Sequence, residues 1–78
     1  MEQTLRSILG KYGKLAVDAN SIATDDDLYA LGMTSHASVA VMVAIEDEFD
    51  IEIPDRLLKK ETFGSLGALT EMIDGLRA

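Results

Sequence analysis

The sequence predicts an all-α fold, a small bundle of four helices, three long and one short, with a long loop between the first two. Three observations carry this reading. Apolar residues recur at three- and four-residue steps in three separate segments. The segment richest in β-branched residues lacks the polar outer face that a half-buried strand would show. At 78 residues and 47% hydrophobic, the chain has the length of one domain, residues 1–78, and enough apolar surface to offset chain entropy.

The first helix rests on Leu5, Ile8, Leu9 and Tyr12, spaced i, i+3, i+4, i+7, and Gly10 and Gly13 mark its end. From Lys14 to Thr34 the periodicity stops. Asp18, Asn20, Ser21 and the run Asp25-Asp26-Asp27 form turns, punctuated by Ile22, Leu28 and Leu31. A connection of about twenty residues is long for so small a domain, so it is either a functional loop or a misread element; we read it as a loop pinned to the core by those three apolar side chains.

The second helix, His36 to Phe49, places Met42, Ile45 and Phe49 on one side with Val41 in support. Val39, Val41, Val43 and Ile45 favour strand by propensity, but period and length prevail. Gly32 breaks the chain just upstream, and Ser35 or Thr34 is the expected N-cap. Ile51 to Pro54 reads as extended because the residue before proline avoids the α region. Arg56 to Lys60 reads as the short helix, started by Pro54 or Asp55. The last helix aligns Leu66, Leu69, Met72, Ile73 and Leu76, with Thr62 as its cap and Phe63 as a staple residue.

Charge narrows the function. Fourteen acids against seven bases give a net charge of −7, the wrong sign for a nucleic-acid partner. From Leu15 to Asp55 there are ten acids (Asp18, Asp25, Asp26, Asp27, Glu46, Asp47, Glu48, Asp50, Glu52 and Asp55) and no Lys or Arg. The absence of cysteine excludes disulfides, thiolate metal sites and a cysteine nucleophile, and one histidine cannot assemble a His-rich metal cluster. No apolar run approaches the roughly 20 residues that span a bilayer, and the opening MEQTLRS has neither a basic n-region nor an apolar h-region. A cytoplasmic monomer without membrane attachment is expected. The acidic triplet lacks the alternating ligands and central glycine of a calcium loop, whose twelfth position falls here on His36. A solvated turn with one aspartate capping a helical turn at Leu28 accounts for it better.

Ser35 is the candidate functional residue. At the start of the second helix its hydroxyl is expected in solvent, where unpaired N–H groups and the macrodipole favour an anion. On spacing alone the better reading is that it is only a helix cap.

The segments Leu28-Tyr29-Ala30-Leu31-Gly32-Met33-Thr34-Ser35 and Ala44-Ile45-Glu46-Asp47-Glu48-Phe49-Asp50-Ile51-Glu52-Ile53-Pro54-Asp55 together resemble the acyl carrier protein family, and the likeness covers nearly the whole chain. The resemblance implies an acyl-carrier-like four-helix bundle in which Ser35 bears 4′-phosphopantetheine, taken from coenzyme A by a phosphopantetheinyl transferase. The arm's thiol would hold an acyl or aminoacyl group as a thioester, so the missing cysteine is no obstacle. The protein is then a substrate of a loading ligase and of downstream transferases, with no catalytic residue and no turnover of its own.

Departures from the family pattern bear on the partners. The family most often has Asp-Ser-Leu at the modified serine, whereas here it is Thr34-Ser35-His36, and the usual early acids give way to Thr34, Ala37 and Ala40. Glu46 and Asp47 match family acids that meet basic partner surfaces. Met33, Thr34, His36, Val39, Val43, Glu46 and Asp47 are therefore the expected partner contacts, and a specialised carrier, similar to stand-alone aminoacyl or acyl carriers, is favoured over the housekeeping carrier of fatty-acid synthesis. His36 is a contact or a hydrogen-bond donor to the phosphate. Met42 is expected in the core, and Ile53 either in the core or along a channel for the attached chain. The alternative reading is an unmodified acidic helical interaction domain.

Overall fold

The computed structural model describes residues 1–77, with α-helix over Glu2–Tyr12 (α1), Ser35–Phe49 (α2) and Leu66–Arg77 (α3). Single 3₁₀ turns cover Ala19–Ser21, Asp55–Leu57 and Lys60–Phe63. Leu5, Ile8 and Leu9 of α1, Val41 and Ile45 of α2, and Leu66, Leu69 and Ile73 of α3 are buried in one core. Tyr12, read as part of the first stripe, is 43% exposed because α1 ends at that residue.

The buried stripe of α2 is Ala37, Val41 and Ile45, rotated from the expected Met42, Ile45 and Phe49. Apolar residues surround this helix, so periodicity alone cannot tell which of them turn inward. Met42 and Phe49 are half-buried at the edge of the core. The helix ends at Asp50, whose φ of 52° is left-handed, and both Asp50 N–H and Ile51 N–H donate to the Glu46 carbonyl. A side chain is disfavoured in that conformation, so Asp50→Gly is expected to stabilise the domain by about 0.5–1 kcal/mol, measurable as a raised urea midpoint at unchanged m value.

The short fourth helix at Arg56–Lys60 is replaced by two 3₁₀ turns. Leu58 (φ −83°, ψ 69°) and Lys59 (φ −139°, ψ 160°) leave the helical region between them. Five residues make too few bonds to offset the cost of helix nucleation. Thr62 is not the cap of the last helix: it is buried in the second turn, and Ser65 Oγ accepts instead from Ala68 N at 3.1 Å. Phe63 is buried two residues ahead of that cap.

The long connection is ordered by hydrogen bonds as well as by apolar anchors. Ile22 and Leu28 are buried as expected, Leu31 is half-buried, and Met33 joins the core. Leu28 N donates to the Gly64 carbonyl at 2.8 Å and Gly67 N to the Thr24 carbonyl at 2.9 Å, tying the loop to the entry of α3. Arg6 reaches across from α1 to the Ala19 and Ile22 carbonyls at 2.9 and 2.8 Å. The acidic triplet caps turns: Asp26 Oδ2 accepts from Ala23 N, and Asp27 Oδ1 accepts from Tyr29 N and Ala30 N. That last turn closes at Gly32, whose φ of +116° few other residues adopt, and a Cβ there would meet Ala16 N at 3.3 Å. The chain then runs directly into the head of α2.

Candidate functional site at the head of α2

Thr34 caps α2, its Oγ1 accepting from Ala37 N at 3.0 Å, so the capping role falls to Thr34 and not to Ser35. Ser35 is the first helical residue and is exposed, and its carbonyl accepts from Ser38 Oγ at 2.7 Å. The first turn of α2 has no acidic side chain, so nothing offsets the partial positive charge of the helix head that faces an anion at this serine.

The far end of α2 has the opposite arrangement. Glu46, Asp47 and Glu48 crowd the last turn with no base among them, where the macrodipole disfavours negative charge. Glu46 repays part of that cost by accepting from Ile53 N at 2.9 Å, which latches the 51–54 segment to the helix. Ile53 is thereby settled as a core residue, 5% exposed. Asp47 and Glu48 point to solvent. Among the described residues the one salt bridge joins Glu2 to Arg6, so the acids from Asp18 to Asp55 go without basic partners. Moderate salt should therefore raise the melting temperature by screening their repulsion, and a melting temperature that falls or stays flat between low and physiological ionic strength would contradict this.

The expected partner residues divide. His36, Val39, Val43 and Asp47 are exposed at steps of three and four along one side of α2, Val39 and Val43 at 54% and 55%. Thr34 is exposed with its hydroxyl engaged in the cap. Met33, expected at the surface, is 2% exposed and packs in the core, because the turn closed by Gly32 directs it inward. It is withdrawn from the partner face.

Ser35 also borders a groove of about 310 Å³ that the sequence did not announce. Its lining comes from α2 (Ser38, Val39, Met42), from the 58–63 segment (Leu58, Lys59, Lys60, Phe63) and from Tyr29 of the long connection. The Lys60 ammonium lies 5.1 Å from the centre of the Tyr29 ring, a cation–π contact. These residues come from three distant stretches, and only the adjacency of Lys59 and Lys60 just beyond the acid-only window was visible beforehand.

Three packed helices with an ordered connection leading to the head of the second are the architecture of a carrier domain, a protein that holds a covalently attached arm. The chain belongs to the phosphopantetheine attachment site family, whose model matches residues 3–73. It is 45% identical over 73 residues to an aminoacyl carrier protein of Agrobacterium fabrum (strain C58 / ATCC 33970), covering 94% of this chain and 88% of that protein. It is also similar, at TM-score 0.92 and 44% identity over 95% of this chain and 99% of the other, to a chain of the crystal structure of engineered Bradyrhizobium japonicum glycine:[carrier protein] ligase complexed with the carrier protein from Agrobacterium tumefaciens and AMP. A further match, at TM-score 0.77 and 28% identity, covers 91% of this chain and 95% of a chain in the complex of the Bradyrhizobium japonicum ligase with glycylated carrier protein. The family's prosthetic group is 4′-phosphopantetheine, and the residues here suit it: an exposed hydroxyl, a helix head free of acids, and a groove beside them.

Proposed function

We propose that this protein is an aminoacyl carrier whose 4′-phosphopantetheine is attached at Ser35. The observation that carries the assignment to Ser35 is its place as the first, exposed residue of α2, with the capping duty taken by Thr34. A phosphopantetheinyl transferase joins the Ser35 oxygen to the phosphorus of the arm, and the nucleotide part of coenzyme A leaves. The arm's thiol then receives an amino acid as a thioester from a ligase, and later transferases take it on. The chemistry resides in the arm and in the partner enzymes, so the protein has no turnover of its own.

The partner face is the stripe of His36, Val39 and Val43 with Thr34 at its head and Asp47 at its foot, Glu46 contributing through its hold on the 51–54 segment. A ligase that docks there would meet an apolar strip beside the serine and negative charge about three turns away. Glycine is the first amino acid to test, because the similar carriers are complexed with a glycine ligase. We read residues 1–78 as a single monomeric domain acting in the cytoplasm, where coenzyme A and ATP are at hand.

The test is incubation with coenzyme A and a phosphopantetheinyl transferase, followed by glycine, ATP and a glycine:[carrier protein] ligase. Fragmentation mass spectrometry should place the arm on Ser35, and the glycyl product should be released by hydroxylamine as a thioester is. An arm on Ser38, or no arm with several transferases, would overturn the assignment.

A further inference from the structure

Three of the chain's seven bases, Arg56, Lys59 and Lys60, fall within five residues, just past the stretch that holds only acids. All three are exposed, and among the described residues none is ion-paired, although Asp55 and Glu61 flank them in sequence. Lys60 lies over the Tyr29 ring, which leaves Arg56 and Lys59 as charges that nothing described in the fold engages. The break between the two 3₁₀ turns sorts the neighbouring leucines: Leu57 packs against the core, whereas Leu58 is 45% exposed. The segment therefore offers an aliphatic side chain between two unpaired bases.

The charges around Ser35 are sorted by sign as well. The first turn of α2 has no acid, Asp27 is taken up by Tyr29 N and Ala30 N, and the exposed carboxylates of α2, Asp47 and Glu48, stand at its far end. Val39 belongs both to the outer stripe of α2 and to the groove that Leu58 and Lys59 line, so the two surfaces are continuous. An enzyme that draws an arm from Ser35 covers both sides of the serine, and the side at the 56–60 segment is basic.

Resting on the reading that a ligase loads an arm on Ser35, we infer that Arg56, Leu58 and Lys59 form a second docking surface, for an acidic patch on that ligase with a socket for Leu58. The interface is then two-signed. Carboxylates of the ligase meet the 56–60 segment beside the serine, and its bases meet Asp47 about three turns along α2. A partner turned end for end would set like charges together at both places, so the arrangement fixes the direction in which the carrier is gripped.

The experiment uses the protein bearing the arm, with intact mass verifying attachment, and the Bradyrhizobium japonicum glycine:[carrier protein] ligase as the probe. In Arg56→Gln/Lys59→Gln the KM for the carrier is expected to rise about five-fold, with kcat within about two-fold of the parent. That KM should also respond less to added KCl than the parent's. Leu58→Ala should raise KM about three-fold and keep the parent's salt response. Arg56→Lys/Lys59→Arg should keep the parent KM. Lys11→Gln/Lys14→Gln, which removes the same charge at the end of α1 and just after it, should leave KM unmoved. A KM for Arg56→Gln/Lys59→Gln equal to that of this control would overturn the surface while leaving the ligase reading intact. A KM raised for the phosphopantetheinyl transferase and not for the ligase would overturn the choice of occupant. A parent protein that takes the arm but no glycine would overturn the ligase reading, and this surface with it.

Discussion

Ser35→Ala is expected to abolish attachment of the arm, and with it all loading, while changing stability by less than about 0.5 kcal/mol. The reason is a division of labour between neighbours. The Ser35 side chain is exposed, and its described hydrogen bond to a neighbouring side chain is made by the backbone carbonyl, so removal of the hydroxyl leaves the fold nothing to repair. Thr34→Ala should behave in the opposite way. It removes the acceptor for Ala37 N at 3.0 Å and frees a helix-head N–H, at a cost of about 1 kcal/mol, or roughly 4–8 °C in melting temperature for a domain of this size. The arm should still attach. Thermal melts and intact mass spectra of the two variants, read side by side, decide the matter. Equal destabilisation by both, or full loading of Ser35→Ala, would refute the assignment.

Why the place of Ser35 at a helix head could be read from sequence, and the groove beside it could not, follows from how each is encoded. A helix start is written locally, in Gly32, a capping hydroxyl and the apolar repeat that follows, so the position of the serine could be inferred without tertiary knowledge. Which of Thr34 and Ser35 caps depends on one residue's backbone angles, and two adjacent hydroxyls leave that open. The groove is different in kind. Its lining draws on separate stretches of the chain: Arg56–Lys60 does not form the expected helix, the backbone leaves the helical region at Leu58 and Lys59, and both residues line the groove together with Ser38, Val39 and Met42 of α2. Met33 is buried for a related reason: closeness to Ser35 in sequence says nothing of orientation, and Gly32's positive φ turns the side chain inward. The long loop was half read. Its apolar anchors Ile22 and Leu28 were evident, but its polar anchor comes from α1 and has no local signature.

That polar anchor is Arg6, and Arg6→Ala is expected to cost about 3 kcal/mol, a large part of the stability of so small a domain. The guanidinium is 12% exposed and makes three bonds, to the Ala19 carbonyl at 2.9 Å, the Ile22 carbonyl at 2.8 Å and Glu2 Oε2 at 3.0 Å. Hydrogen bonds to a charged group contribute about 1.5–3 kcal/mol each, and truncation also strands two loop carbonyls beside a buried side chain. The ion pair is the minor part. Glu2 is 66% exposed, so Glu2→Gln should change stability by less than about 0.5 kcal/mol. Arg6→Lys should recover less than half of the loss, because one ammonium cannot reproduce a planar fork that serves two carbonyls and a carboxylate at once. The consequence reaches the site through the loop's other ties. Ala16 N bonds the Leu31 carbonyl at 2.8 Å and Leu28 N bonds the Gly64 carbonyl at 2.8 Å, so a loop freed at Ala19 and Ile22 loosens the turn that delivers Ser35 to the helix head. Urea unfolding should show the midpoint fall in the order Arg6→Ala, then Arg6→Lys, then Glu2→Gln, and amide exchange in Arg6→Ala should accelerate first at Ser21 and Leu28. A midpoint within experimental error of the parent for Arg6→Ala would mean that the apolar anchors alone hold the connection in place.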